Sequence, residues 1–154
     1  MTDRLRSPFK HAPEAFKAMG ALEAAIKASS LEHSLIELVK MRASQINGCA
    51  YCIHMHATDA RNSGETEMRL YMLNAWREST LYSARERAAL AWTESLTLVS
   101  QTGAPDADYD LARAAFNDVE LANLTFLIGS INAWNRLAIG FQFAHPKDGE
   151  RAKA

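Results

Sequence analysis

The chain has 154 residues, of which 48% are hydrophobic, and its 17 basic and 18 acidic side chains give a formal net charge of −1. Its length and apolar content suit one compact domain with its own core, over residues 1–154, and argue against a disordered polypeptide. The Lys and Arg residues are scattered, so the chain offers no basic surface for nucleic acid, which we exclude as a partner.

The sequence also suggests where the protein works. Residues 1–10 lack the apolar core of a signal peptide, and no run of about 18 apolar residues occurs in the chain. We therefore expect a cytoplasmic protein without a membrane partner. In a reducing cytosol, a Cys-x-x-Cys pair is more often catalytic or metal-binding than structural, because cellular thiols keep ordinary cysteines reduced.

Apolar residues recur at helical spacing along most of the chain, separated by turn-forming residues. Pro13 fits the first turn of a first helix, Ser29 or Ser30 can cap a second, and Asn47-Gly48 is a strong breaker that ends it. The predicted helices span about residues 13–28, 31–46, 49–62, 65–75, 84–99, 106–116 and 117–141.

The fifth and seventh predicted helices open on capping-box signatures. Ser83 precedes Glu86 by three residues, and Asn117 precedes Glu120 by the same interval. The segment after Asn117 is apolar nearly all round, which is typical of a helix that is central to its domain or buried against another subunit. We expect an all-α, single-domain bundle of about six to seven helices, with its core over about residues 10–141, that oligomerises through apolar helices. The polar tail over 145–154 is expected to fray.

The chemistry-bearing residues cluster around the two cysteines of the chain. Cys49 and Cys52 follow Asn47-Gly48 at the start of the third predicted helix, where the helix dipole and unpaired N–H groups favour a thiolate. In a helix their Cα atoms lie about 5 Å apart, so the two sulfurs can form a disulfide reversibly. His56 follows Cys52 by four residues and therefore lies on the same helix face.

Glu37 is placed by similar reasoning. It precedes the end of the second predicted helix by roughly 13 Å, while His56 lies roughly 10 Å into the third. If the two helices fold back on each other at Asn47-Gly48, the two side chains come level. A carboxylate beside an imidazole fixes its tautomer and raises its basicity, so the pattern predicts a Glu-His-Cys proton relay.

Glu37, the segment Cys49-Ala50-Tyr51-Cys52 and His56 together resemble the signature of alkylhydroperoxidase D-like proteins, which belong to the carboxymuconolactone decarboxylase family. Residues 46–52 are similar to the peroxidase branch of that family, and residues 131–136 are similar to its later helix. The likeness covers residues 10–141. It implies an all-helical subunit that assembles into trimers or hexamers and acts as a thiol-dependent peroxidase.

The resemblance also implies roles for the individual residues. Carried over by position, Cys52 is the peroxidatic cysteine, Cys49 the resolving cysteine, and Glu37 with His56 the proton relay. The implied partners are a small-molecule hydroperoxide and a dithiol or lipoyl-type reductant protein, with no bound cofactor or metal.

One departure from the family pattern concerns the residue before the second cysteine. The prototypical enzymes have a histidine there, whereas this chain has Tyr51. Tyr51 and the nearby His54 are therefore candidate pocket residues. His54 is expected to be exposed, since it points to a different side of the helix from Cys52, and His145 is expected at the surface.

Other interpretations remain open at this point. The protein could be a non-catalytic redox sensor or assembly module whose disulfide changes subunit packing. Cys49, Cys52, His56 and His54 could form a structural zinc site. Glu37 could be a solvated carboxylate paired with Lys40. Lactone decarboxylation, for which the family is named, is the weaker alternative, since that branch does not depend on a cysteine pair.

Overall fold

The computed structural model of the chain describes residues 4–5 and 7–146. These residues form α-helices, one 3₁₀ turn and connecting loops, and contain no β-strand, so the all-α prediction is confirmed. The elements in chain order are α1 (Pro8–His11), α2 (Pro13–Lys27), α3 (His33–Asn47), α4 (Ala50–Asn62), α5 (Glu67–Tyr71), the 3₁₀ turn (Leu73–Ala75), α6 (Ala84–Thr97), α7 (Val99–Thr102), α8 (Asp106–Ala115) and α9 (Asp118–Phe141).

The structure corrects the number of helices rather than their positions. Two single-turn helices, α1 and α7, lie outside the six to seven predicted, because one turn is too short to show a periodic apolar pattern. The helix predicted over 65–75 is divided into α5 and the 3₁₀ turn. The Cys-x-x-Cys pair opens α4, which is the third of the predicted helices.

The predicted cap of α3 was wrong. α3 follows Glu32, whose side chain makes no capping bond. The Ser29 hydroxyl instead donates to the Ile26 carbonyl at 2.6 Å and so completes the end of α2. A serine hydroxyl can bond a nearby carbonyl as well as an N–H group, so the sequence alone left its partner undecided.

Both predicted capping boxes are confirmed. The Ser83 hydroxyl accepts from the backbone N–H of Glu86, whose carboxylate accepts from the N–H of Ser83. Asn117 and Glu120 make the same reciprocal pair at the start of α9. These bonds satisfy N–H groups that have no partner within the helix, which fixes where the two helices begin.

The central helix of the fold is α3, which contacts α4, α6 and α9. One hydrophobic cluster joins α3 to α2, α6, α8 and α9, and a second joins it to α4, α5 and α6. α9 has an inner face with Leu124, Leu127 and Ile128 fully buried, and an outer face with Phe126 exposed. The helix predicted to be apolar nearly all round is therefore only partly covered in the single chain.

None of the helices within the described ranges combines the length and apolarity needed to cross a membrane. The tail predicted to fray begins at residue 145, and only residues 145 and 146 of it are described. The remainder of that prediction lies outside the described residues.

Candidate active site

The two cysteines meet at the turn between α3 and α4. Gly48 ends α3 in the left-handed region, with φ 69°, and Cys49 follows as the N-cap of α4. The backbone N–H of Cys52 donates to the Cys49 sulfur at 3.3 Å. The two cysteines form a disulfide, and their Cα atoms lie 5.4 Å apart, in agreement with the spacing expected from helical geometry.

Side-chain amides from α9 hold this turn in place. The Asn47 side-chain amide donates to the Oδ1 atoms of Asn132 and Asn135, both at 2.9 Å. Asn135 is fully buried and donates to the Ser44 hydroxyl at 3.0 Å. No role was predicted for Asn132 and Asn135. Two asparagines on a largely apolar helix were nevertheless a signal, because buried side-chain amides need hydrogen-bond partners.

Glu37 and His56 lie side by side, as predicted. The Oε2 atom of Glu37 is 3.0 Å from Nδ1 of His56, and the two residues are 5% and 4% exposed. A carboxylate is an acceptor, so the bond is made when Nδ1 of His56 carries a proton, and Nε2 of the neutral ring is then a proton acceptor. The predicted proximity is confirmed, whereas the catalytic roles of the two residues stay predictions.

A second ion pair lies near this pair. Lys40 contacts Glu23 at 2.6 Å, so the alternative in which Lys40 pairs with a solvated Glu37 is wrong. Burial by itself raises the pKa of Glu23, but the charge and hydrogen bond of Lys40, with a hydrogen bond from Ser130, hold that pKa below its ordinary value. The positive charge of a protonated His56 also lowers the pKa of Glu23. The Lys40–Glu23 pair therefore lies within electrostatic range of the Glu37–His56 pair.

The zinc site considered from the sequence is not assembled in this state, because the sulfurs of Cys49 and Cys52 are bonded to each other. Glu37, His56 and the exposed Asp59 bring ligand atoms within 4.8 Å of one another, and no other group of this kind occurs in the described part of the chain. A cation bound by these three residues would share Glu37 and His56 with the predicted relay.

Aromatic side chains cover the cysteine pair. Tyr51 and Phe143 pack against a cluster formed by Cys49, Cys52 and Ala138, in which the two cysteines are 1% and 2% exposed. The two rings meet edge to face, with centroids 5.6 Å apart. Burial raises the pKa of Tyr51, so its phenol is protonated at neutral pH. Tyr51 thus lies where a pocket residue was predicted, while Phe143 comes from the segment after α9 and was missed.

The expectation that His54 is exposed was wrong. The residue is half-buried, and its Nδ1 atom is buried with no hydrogen-bond partner in the described ranges. Its ring stacks on that of His145, with centroids 6.0 Å apart. His145 itself is exposed, as expected. The periodicity of α4 could not show this contact, because it depends on how the chain returns after α9.

Comparisons with known proteins identify the family. The sequence profile of the carboxymuconolactone decarboxylase family matches residues 13–95. YdfG of Bacillus subtilis (strain 168) is 44% identical over 133 residues, which is 86% of this chain and 90% of YdfG.

Solved structures show the same fold. ATU0492 from Agrobacterium tumefaciens has a TM-score of 0.91 and 45% identity over 96% of this chain and 100% of its own. It is a protein of unknown function described as an AhpD-type antioxidant defence candidate. The debrominase Bmp8 has a TM-score of 0.77 at 19% identity over 90% of this chain and 74% of its own, a likeness of fold alone. The chain therefore belongs to the carboxymuconolactone decarboxylase family, as an alkylhydroperoxidase D-like member.

Proposed function

We propose that the protein is a thiol-dependent peroxidase that reduces organic hydroperoxides through Cys49 and Cys52. The observation that carries this proposal is a disulfide at the start of α4 on the same helix as His56, which is hydrogen-bonded to Glu37. Thiol peroxidation needs a stabilised thiolate, a second thiol and a nearby base, and these four residues supply all three. The similarity to ATU0492, whose description as an AhpD-type antioxidant defence candidate fits removal of peroxides, supports the proposal.

The first half of the cycle oxidises Cys52. Nε2 of His56 takes the thiol proton, directly or through a water molecule, and Glu37 stabilises the resulting imidazolium. The thiolate attacks the outer oxygen of the hydroperoxide, so a sulfur–oxygen bond forms and the oxygen–oxygen bond breaks. The alkoxide leaves as the alcohol after taking the proton from His56. Cys52 is left as a sulfenic acid.

The second half restores the dithiol. The Cys49 sulfur attacks the Cys52 sulfur, the disulfide forms, and the sulfenic oxygen leaves as water with the Cys49 proton. An external dithiol, such as that of a lipoyl-type reductant protein, then reduces the pair to two thiols and is itself oxidised to a disulfide. The cycle requires no metal and no bound cofactor.

Substitution of each cysteine tests the proposal. With a dithiol and an organic hydroperoxide, Cys52→Ser is expected to abolish peroxide consumption. Cys49→Ser is the matched control, because once reduced and freed of the dithiol it should consume one equivalent of hydroperoxide and stop at a Cys52 sulfenic acid that a mass spectrum detects. One equivalent of hydroperoxide should lower the intact mass of the unsubstituted reduced protein by the mass of the two thiol hydrogens. Full turnover by Cys52→Ser would exclude this function.

The proposal extends to a homo-oligomer, a trimer or a hexamer. The groove between α2 and α9 is lined by small and apolar side chains, including Leu22, Gly129 and Ala133, beside the exposed ring of Phe126. Contiguous exposed apolar surface of this kind commonly marks association between chains. A second copy of the chain, presenting the same helices, is the partner we propose for this surface.

A redox sensor is the second candidate function. It is favoured by the burial of the disulfide beneath Tyr51 and Phe143, since a covered disulfide exchanges slowly with external thiols. Sizing of the oxidised and reduced protein separates the two functions. A change of assembly with negligible peroxide consumption would support the sensor, whereas constant assembly with turnover would support the peroxidase.

A further inference from the structure

We infer that Phe143 controls access of external reductants to the Cys49–Cys52 disulfide. The inference deepens the proposed function, because the proposed cycle requires a dithiol to reach these sulfurs in every turnover. It concerns a residue outside the cysteine motif, on a segment that follows the last helix of the fold.

The segment in question, residues 142–146, is here called the strap. It begins at Gln142, which adopts the left-handed conformation with φ 56° and ends α9. The backbone N–H of Gln142 donates to the Ile139 carbonyl, and that of Phe143 donates to the Ala138 carbonyl. The left-handed residue reverses the chain, so the strap turns back towards α4.

Two ring contacts place the strap on α4. Phe143 meets Tyr51 edge to face at 5.6 Å, and His145 stacks on His54 at 6.0 Å. Tyr51 and His54 are one helical turn apart, and Cys52 lies between them in the sequence. The strap therefore follows the turn of α4 that carries Cys52.

The ring of Phe143 also has support from the N-terminal part of the chain. It meets Phe9 of α1 edge to face, with centroids 5.4 Å apart. Phe143 is thus held between two elements while it packs on the cysteine cluster. Such aromatic pairs favour one ring position over others, so the covered state is the stable one.

This cover has a chemical consequence. A thiolate or a phosphine must approach a disulfide sulfur directly in order to displace the other sulfur. The cysteines are 1% and 2% exposed, so no such approach is open in the structure as it stands. Reduction therefore requires a local opening. We place that opening at the Phe143 ring, because the strap is short and lies outside the helices, whereas Tyr51 and the cysteines are fixed on α4.

The rate of disulfide reduction by a water-soluble phosphine tests the inference. The phosphine is oxidised to its oxide with oxygen from water, the disulfide becomes two thiols, and a thiol reagent counts them. Phe143→Ala is expected to raise this rate about three- to tenfold, the range that loss of aromatic pair contacts gives to an opening equilibrium. Tyr71→Ala, which truncates an exposed ring on α5, should leave the rate unchanged.

A second variant tests the inference if Phe143→Ala fails to fold. His145→Ala loosens the strap without altering a residue of the cysteine cluster, and we expect a smaller increase in the same direction. His11→Ala is its control, since His11 is exposed on α1.

Two results would overturn the inference. One is reduction at the unsubstituted rate in both strap variants. The other is a rate of reduction in Phe143→Ala that rises by the same factor as the equilibrium constant for global unfolding of that variant. Because the assay contains no peroxide, either result leaves the peroxidase proposal standing, and that proposal can fail in turn without changing these rates.

Discussion

At the scale of single residues, the pair of Glu37 and His56 is the most informative feature. A buried carboxylate loses solvation that its partner only partly restores, so a buried pair is weak evidence for a stabilising role. The pair lies on α3 and α4, the two helices that meet at the cysteine turn. Its position there supports the proposed role in proton transfer rather than a role in stability.

The first prediction concerns this pair. Glu37→Gln keeps the size of the side chain and removes its charge, so His56 is no longer stabilised as an imidazolium. We expect peroxide turnover to fall about a hundredfold, a typical contribution of a positioned base, with the fold retained. Thiol alkylation of the reduced protein should slow over the range from about pH 5 to about pH 9, where cysteine and histidine titrate.

Asp59→Asn is the control, because it removes an exposed carboxylate close to the same pair without removing the Glu37–His56 bond. It should retain most of the turnover. The relay is excluded if Glu37→Gln and His56→Gln both keep the alkylation profile of the unsubstituted protein.

At the scale of elements, the connection between α3 and α4 determines the site. Gly48 adopts positive φ, and Cys49 accepts a backbone hydrogen bond as the cap of α4. This short turn brings α3, with Glu37, and α4, with His56, side by side. A longer or differently shaped connection would separate Glu37 on α3 from His56 and the cysteines on α4.

Two glycine substitutions test this turn. Gly48→Ala places a Cβ in open space but in the left-handed conformation, so we expect a loss of about 1–2 kcal/mol in the free energy of unfolding. Gly20→Ala, in the middle of exposed α2 and also in open space, should instead gain about 0.5–1 kcal/mol. Denaturant unfolding of both variants measures the two changes in the free energy of unfolding. A stabilised Gly48→Ala would contradict this account of the turn.

At the scale of the whole molecule, α9 has two faces with different surroundings. Its inner face supplies Asn132 and Asn135 to the cysteine turn, and its outer face leaves Phe126 62% exposed beside the groove with α2. Assembly through the outer face would therefore act on the helix that also holds the active-site turn. This link is the physical basis on which a redox-dependent assembly would operate.

The assembly prediction is tested at the same surface. Phe126→Asp places a charge on an apolar face. Burial of an unpaired charge is strongly unfavourable, so we expect this variant to be monomeric. Sedimentation or light scattering measures the mass of the assembly. Tyr71→Asp, at an exposed ring on α5, is the matched control and should not change the mass. A monomeric unsubstituted protein, or an unaltered mass for Phe126→Asp, would contradict the proposed interface.

Most helix positions and the local geometry of the cysteine turn were predictable from the sequence. The two capping boxes, the break at Gly48 and the disulfide spacing each follow from the constant rise and rotation of an α-helix or from a backbone preference of one residue type. Such properties depend on neighbours within a few positions along the chain. The level placement of Glu37 and His56 needed one further premise, that α3 and α4 fold back on each other, and the structure bears that premise out.

Only the tertiary structure decided which distant groups reach the site. Lys40 pairs with Glu23 rather than with Glu37, the asparagines of α9 hold the cysteine turn, and Phe143 covers the disulfide. These contacts join residues far apart in the chain, so they depend on which helices pack together and on how the chain returns after α9. No periodic pattern along the sequence encodes those choices, because each is set by the combined packing of several elements.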